Sequence, residues 1–375
     1  MFLFLLFQPL DYDKLLFEVY LRVCYNVIKL QKGVNFMTIP CPKTTSALMR
    51  YLRNQKGISI SGSSQKRKLM NIGYYHGYKG YRYIRKPNNK IPFTDFNELL
   101  AIYEFDAKLK FLLYPFVIQI ETALKNYVLE TIVCTVKSSN FVEIYGTLLD
   151  NYKLYSTSGK TFANPKLRTQ AEEKYKRELK RRLDLRNRIY KVQTDAFANN
   201  NKIAVHYLTK DTNLPIWAIF ELLSLGEFGH FVSCLNFSCR QTISNTIGIK
   251  QSDDSNAMMP QRLIYATKDL RNAIAHNDVV FDTRFRTGNI DKQVCSTLTN
   301  ATGVTDLNFE TITDYFVLIV YQLTLIGVPK TNIRQLINSF IDCTEKLRQS
   351  VPINVYNQII RTDNSSKIKA LKHFI

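Results

Sequence analysis

Residues 95–128 read DFNELLAIYEFDAKLKFLLYPFVIQIETALKNYV, and this stretch decides the fold class. Leu99, Ile102, Tyr103, Leu109, Leu112, Leu113, Phe116, Val117, Ile120, Leu124 and Val128 recur at helical spacing, the wide apolar stripe of a helix that buries one face. Asp95 and Glu98 form a capping-box pattern just ahead of the stripe and predict where the helix begins. Pro115 lies inside it. Its ring clashes with the preceding turn and it has no N–H to donate, so a kink is predicted there. Glu104, Asp106, Glu121 and Lys125 lie close to the stripe, either as its edges or as paired groups at a site.

The rest of the chain extends this helical pattern. Thr44 to Asn54 reads as a short helix, followed by a Gly/Ser turn at Gly57 to Ser64. Pro215 suits the first turn of a third helix whose Ile216, Trp217, Ile219, Phe220, Leu222, Leu223 and Leu225 are too apolar for the surface. Gly226 should end or bend it, and Trp217 should sit in the core. Pro260 opens a fourth helix, with Leu263, Ile264, Ala266, Leu270, Ala273 and Ile274 on its apolar side. Residues 312 to 348 hold further helical patterns, broken at Pro329. Strand alternation is scarce. The fold class is all-α, a helical bundle with flanking helical segments.

Composition narrows the partners. The chain has 375 residues, with 51 Lys and Arg against 31 Asp and Glu, a formal charge of +20. Such an excess favours a polyanionic partner such as nucleic acid, although a solvated basic surface has the same composition. The positive charge is densest in residues 166–192, where eleven basic and four acidic side chains fall on one helix. Lys174, Lys176, Arg177, Lys180, Arg181 and Arg182 are candidates there for contact with an RNA backbone. The block Tyr74-Tyr75-His76-Gly77-Tyr78-Lys79-Gly80-Tyr81 interleaves aromatic and basic residues. Tyr75, His76 and Tyr78 are candidates for stacking on bases, though tyrosines equally build a packed loop. The seven cysteines are scattered with no Cys-x-x-Cys pair, which argues against a zinc site and a disulfide framework. Reduced thiols and a cytoplasmic location are expected. No run of about 18 uncharged apolar residues occurs, so no transmembrane helix is predicted.

The start is ambiguous. MFLFLLF at residues 1–7 lacks the basic flank and cleavage site of a signal peptide. Residues 32–37 can be encoded by a purine-rich ribosome-binding site followed by a start codon at Met37. Residues 1–36 are then either upstream sequence read in frame or an extra amphipathic helix.

Chemistry concentrates in Arg271-Asn272-Ala273-Ile274-Ala275-His276. Arg holds a phosphate through its planar fork, His moves a proton near neutral pH, and Asn orients either one. An Arg five residues before a His arises by chance in roughly one such sequence in four; an Asn directly after the Arg lowers this to about one in fifty. Asn272 and His276 share a helix face, whereas Arg271 and His276 are about 140° apart on an ideal helix. Either the helix unwinds near His276 or the arginine curls round. The bland alternative puts Arg271 in a salt bridge and His276 at a helix end.

Several separated blocks resemble the Abi family of abortive-infection proteins, within the HEPN superfamily. They are Asn71 to Tyr75 with Gly80-Tyr81, similar to the family's NYYRLSGY block; Ile102 to Asp106 with Lys108-Leu109; Ile120-Glu121 with Ala123 to Lys125; Leu214 to Trp217 with Glu221 and Ser224 to Gly226; and Leu270 to Asn272 with Ala275 to Asn277. The resemblance spans about residues 38 to 290. His76 to Lys79 replaces the usual Arg-Leu-Ser, Pro115 is an intrusion, and Asn277 stands where the family often has a second His.

The resemblance implies a HEPN-like core over 95–290, behind a mixed segment at 37–94 and ahead of a helical segment at 291–375. It implies a ribonuclease toxin of phage defence or of a toxin–antitoxin pair, cutting RNA without metal or cofactor and leaving a 2′,3′-cyclic phosphate. A small regulatory non-coding RNA is an expected partner. The catalytic residues are then Arg271, Asn272 and His276, supported by Asp106, Glu121 and Asn277. In-line transesterification is best served by two proton-transfer groups, and the chain has one such motif, so a homodimer that pairs two motifs is expected. The alternative is an RNA-binding or scaffold protein of a defence system that does not cleave.

Overall fold

Asp95 and Glu98 start the longest helix as their spacing predicts. The Asp95 carboxylate accepts from the Asn97 N–H at 2.7 Å, and Glu98 reaches back to the Asp95 N–H, completing the capping box. A helix of 41 residues follows and ends where Lys137 adopts a left-handed conformation. It runs unbroken through Pro115. The proline is exposed, so the Phe111 carbonyl that loses its donor faces water rather than the core.

The computed structural model describes residues 43–375; residues 1–36 and the alternative start at Met37 lie outside the described residues. The chain divides into residues 1–47 and a second unit, residues 48–375. The described residues form fifteen α-helices and no β-strand. These are α1 (Thr45–Lys56), α2 (Gly62–Ile72), α3 (Phe96–Val136), α4 (Phe141–Thr147), α5 (Pro165–Ala198), α6 (Lys202–Leu208), α7 (Ile216–Leu222) and α8 (Leu225–Cys234). They continue as α9 (Phe237–Thr246), α10 (Met259–Ala275), α11 (Lys292–Thr302), α12 (Ile312–Leu325), α13 (Lys330–Ser350), α14 (Ile353–Ile360) and α15 (Asn364–Phe374). The fold is all-α.

Within the second unit, α3 packs against α9, α10, α12 and α13, and α10 also packs against α8. Residues Ile312 to Leu323 of α12 are buried on every side, as a helix apolar all round must be. In its first turn the fully buried Asp314 pairs with Lys367 of α15 at 2.7 Å.

Three expectations need correction. The helix from Pro215 stops at Leu222, because Ser224 and Glu227 form a second capping box that starts α8, with Gly226 in its first turn. Trp217 is 42% exposed, its ring meeting the edge of Tyr207, and is not a core residue. The Gly/Ser turn ends early, and α2 runs on into a π-helical turn at Gly73–Lys79.

Candidate functional site

Two helices supply the site. The motif occupies the last turn of α10, and α3 lies beside it. Arg271 Nε donates to Glu121 Oε2 at 2.6 Å, and its Nη1 donates to Asn272 Oδ1 at 3.2 Å. The other Glu121 oxygen pairs with Lys125 Nζ at 3.0 Å. The carboxylate thus bridges the Nε edge of the guanidinium and the Lys125 ammonium, and with Asn272 it orients the guanidinium. This answers how Arg271 relates to His276 around the helix: the arginine turns to α3 and to its neighbour Asn272.

His276 closes the helix. Its N–H donates to Asn272 O at 2.9 Å, its backbone leaves the regular helix (φ −93°, ψ 6°), and its side chain is exposed. The imidazole makes no hydrogen bond within the described residues. Asn277 takes a left-handed conformation (φ 57°), which ends the helix, and Asp278 N then donates back to Ala273 O at 2.8 Å. Lys110 of α3 clamps this turn, donating to Asn277 Oδ1 at 2.7 Å and to Asp278 O at 3.3 Å.

Asp106 is the anchor beneath. It is fully buried, and its Oδ1 accepts from the N–H groups of Val280 and Phe281 at 2.8 and 2.7 Å. Its Oδ2 accepts from Tyr81 Oη at 2.7 Å and pairs with Lys110 Nζ at 3.0 Å. Burial, together with the Asp106 carboxylate, pushes the Tyr81 phenol upward, so it stays a donor. One carboxylate therefore joins the aromatic block, the middle of α3 and the chain that follows His276. Arg284 reinforces the junction: it pairs with Asp282, donates to the carbonyls of Gly80 and Tyr83, and lies 4.1 Å over the Tyr83 ring.

The aromatic block divides. Tyr75 is 70% exposed and His76 is exposed, the two rings meeting edge to face. Tyr78, a candidate for base contact, is buried and stacks on Tyr74, so it belongs to the core. A wider π-helical turn rotates it inward. Between this turn and the residues after His276 lies a cleft of about 520 Å³, lined by Tyr75, Lys79, Arg82, Tyr83, Asn277 and Asp278 among others.

The basic helix α5 also divides. Lys174, Lys176, Arg177 and Lys180 are exposed. Arg181 pairs with the buried Glu178, and Arg182 donates to Tyr145 O at 2.7 Å with its guanidinium 3.8 Å over the Tyr145 ring. Arg182 is thus a packing residue rather than a free phosphate contact. Beyond them Arg188 pairs with Glu227 at the start of α8, while Leu223 O, four residues earlier, accepts from Lys125 Nζ at 3.3 Å. The turn between α7 and α8 therefore touches both the basic helix and the group that holds Arg271. Burial raises the Glu227 carboxyl, but hydrogen bonds from Ser224 and the Arg188 contact outweigh it and leave it below its ordinary value.

Sequence reasoning did not single out Lys110 or Arg284, and it placed Tyr81 within the aromatic block without giving it a role at the site. Lys110 carried a local signal, four residues after Asp106 on one helix face; the Asp106 partner of Tyr81 and the Gly80 and Tyr83 carbonyls that Arg284 reaches are remote in sequence, although Arg284 also pairs with nearby Asp282. No group of three or more His, Cys, Asp or Glu side chains suited to a metal occurs among the described residues, and no helix among them is long and apolar enough to cross a membrane.

A family model described as Abi-like protein matches residues 67–282, more than half of the chain. No curated protein and no solved structure matches.

Proposed function

We propose, from the premise that this chain belongs to the Abi-like family, that it is a metal-independent endoribonuclease with the HEPN type of centre. Family membership points to abortive infection, a form of defence against phage. The observation that carries the finer reading is the pairing of an oriented arginine with an exposed histidine. Arg271 is held by Glu121 along its Nε edge, and His276 stands free at the end of the same helix.

The chemistry follows from those two groups. A 2′-hydroxyl of RNA attacks the adjacent phosphorus, forming a 2′,3′-cyclic phosphate and releasing the 5′-oxygen. His276 takes the proton from the attacking hydroxyl or gives one to the leaving oxygen, a contribution of about 10²- to 10⁴-fold. The Nη groups of Arg271 stabilise charge on the nonbridging oxygens. Asn272 positions the guanidinium through its Oδ1.

One histidine performs one of the two proton transfers, and a second copy of the chain supplies the other. Phe111, 86% exposed, and Tyr114, 50% exposed, flank a shallow apolar hollow that also includes Ile274, inside the motif. This surface suits a two-fold contact that brings two motifs together. The exposed cations of α5 suit the backbone of substrate RNA or of a small regulatory RNA in a toxin–antitoxin arrangement.

A second reading has one observation in its favour. The Arg271–Glu121 pair also suits a purely structural arginine in an RNA-binding scaffold that does not cleave. The experiment is incubation of the purified protein with unstructured RNA in EDTA, against His276→Ala and against RNA carrying 2′-deoxy substitutions. Cleavage that ends in cyclic phosphate and is lost in both controls supports the nuclease. Equal cleavage by His276→Ala overturns the site, and RNA binding without cleavage favours the scaffold.

A further inference from the structure

We infer that the cleft between the π-helical turn and the residues after His276 is a subsite for one unpaired RNA nucleotide next to the scissile bond. The inference rests on the ribonuclease reading and gives it a substrate class, single-stranded RNA. Three observations carry it. The first is position: Asn277 and Asp278, the two residues directly after His276, form one wall. A nucleotide held there adjoins whatever phosphate His276 reaches.

The second is chemistry. Tyr75 on the opposite wall is 70% exposed, and its only ring contact among the described residues is the edge-on His76. An exposed aromatic ring is a platform for a nucleobase, which every base can use because each has a π-face. Lys79, whose ammonium lies 5.6 Å over the Tyr74 ring, and Arg82, at the same wall, form no salt bridge with a carboxylate among the described residues, so neither charge is neutralised by one there and both suit a phosphate. Aromatic and cationic groups side by side fit a nucleotide better than an apolar ligand or a simple anion.

The third is rigidity and size. The floor cannot easily shift, because Tyr81 is bonded to the buried Asp106 and Arg284 is tied to the carbonyls of Gly80 and Tyr83. A cleft of about 520 Å³ takes a base with its sugar but not a duplex. A base can enter only if it is unstacked and unpaired, which selects loops and single strands over helical RNA.

The test measures binding without cleavage. Fluorescence anisotropy of a labelled, unstructured 12-nucleotide RNA is read on His276→Ala protein, alone and combined with Tyr75→Ala, Tyr75→Phe or Lys79→Ala. Tyr75→Ala should weaken binding about 5- to 100-fold, the range for loss of one stacked base. Tyr75→Phe should stay within about twofold, since the π-face remains. Tyr75→Ala should leave the affinity for duplex RNA unchanged. Unchanged affinity for the single strand overturns the subsite, as does an equal loss for single strand and duplex, which would mark a general surface effect. Failure of the catalytic assignment would show in turnover by His276→Ala; failure of the subsite shows in affinity. Tyr75 is exposed, so its truncation leaves the core intact.

Discussion

Glu121 and Arg271, 150 residues apart in sequence, meet at 2.6 Å through Oε2 and Nε. The contact fixes one edge of the guanidinium, and Asn272 Oδ1 accepts from Nη1. The single negative charge of Glu121 is shared between two cations, since Lys125 sits on the second oxygen at 3.0 Å.

Glu121→Ala should therefore damage both function and stability. Lys125 and Arg271 would face each other without a counter-charge, and the arginine would lose its orientation. We expect RNA cleavage to fall at least about tenfold and stability to drop by about 1–3 kcal/mol, less than for a wholly buried pair because Arg271 is a quarter exposed. Cleavage assays and urea unfolding of the same preparation check the two effects. Wild-type cleavage by this variant would show that the orientation of Arg271 does not matter.

Asp106→Ala should act at a distance from the motif it supports. Four donors lose their acceptor at once, among them the amides of Val280 and Phe281. A loss of about 3 kcal/mol or more is expected. Hydrogen exchange should speed up at residues 280 and 281 before the core of α12 is affected. Protection that falls evenly through the chain would mean that Asp106 does not act locally.

Phe111→Glu should separate assembly from folding. The side chain is 86% exposed, so a charge there costs the monomer little. If two copies meet at this surface, sedimentation should shift to the monomer mass, and cleavage should fall even though His276 is untouched. A monomeric wild type that cuts RNA would remove the need for a second copy.

His230 makes stability depend on pH. Burial first, then the charge of Arg181, holds its pKa below the ordinary value of 6.5. Its Nε2 has no hydrogen-bond partner among the described residues. The folded protein thus binds a proton less readily than the unfolded chain. This costs nothing above pH 6.5, and stability falls as the pH drops below 6.5 towards the depressed folded value. Thermal midpoints between pH 7.5 and 5.5 should decline more steeply for wild type than for His230→Phe. Parallel curves would show that His230 is not the group responsible.

The readable parts of this protein were those written in neighbouring residues. Asp95 with Glu98, Pro260 and the stripe from Leu99 to Val128 depend on contacts a turn or two away, and the helices they predict are present. Ser224 with Glu227 was equally local, but the largely apolar run from Ile216 to Leu225, interrupted only by Glu221 and Ser224 itself, masked it. Trp217 misled for the same reason: an apolar neighbourhood in sequence is not one in space. Apart from Lys110, the partners of Asp106 were beyond reach. They lie 25, 174 and 175 residues away, and nothing in a single chain marks which charge near a stripe will be met from there.

Those same intervals set a timetable for biosynthesis. A ribosome releases Tyr81 and Asp106 early, yet the amides of residues 280 and 281 appear only after some 170 more codons have been read. Until then the turn that presents His276 has no anchor, because the anchor and the turn are made at different times. A nascent chain, or one truncated before residue 280, carries every residue of the aromatic block and of α3 but no closed junction. The junction beneath His276 closes only once translation has passed the motif.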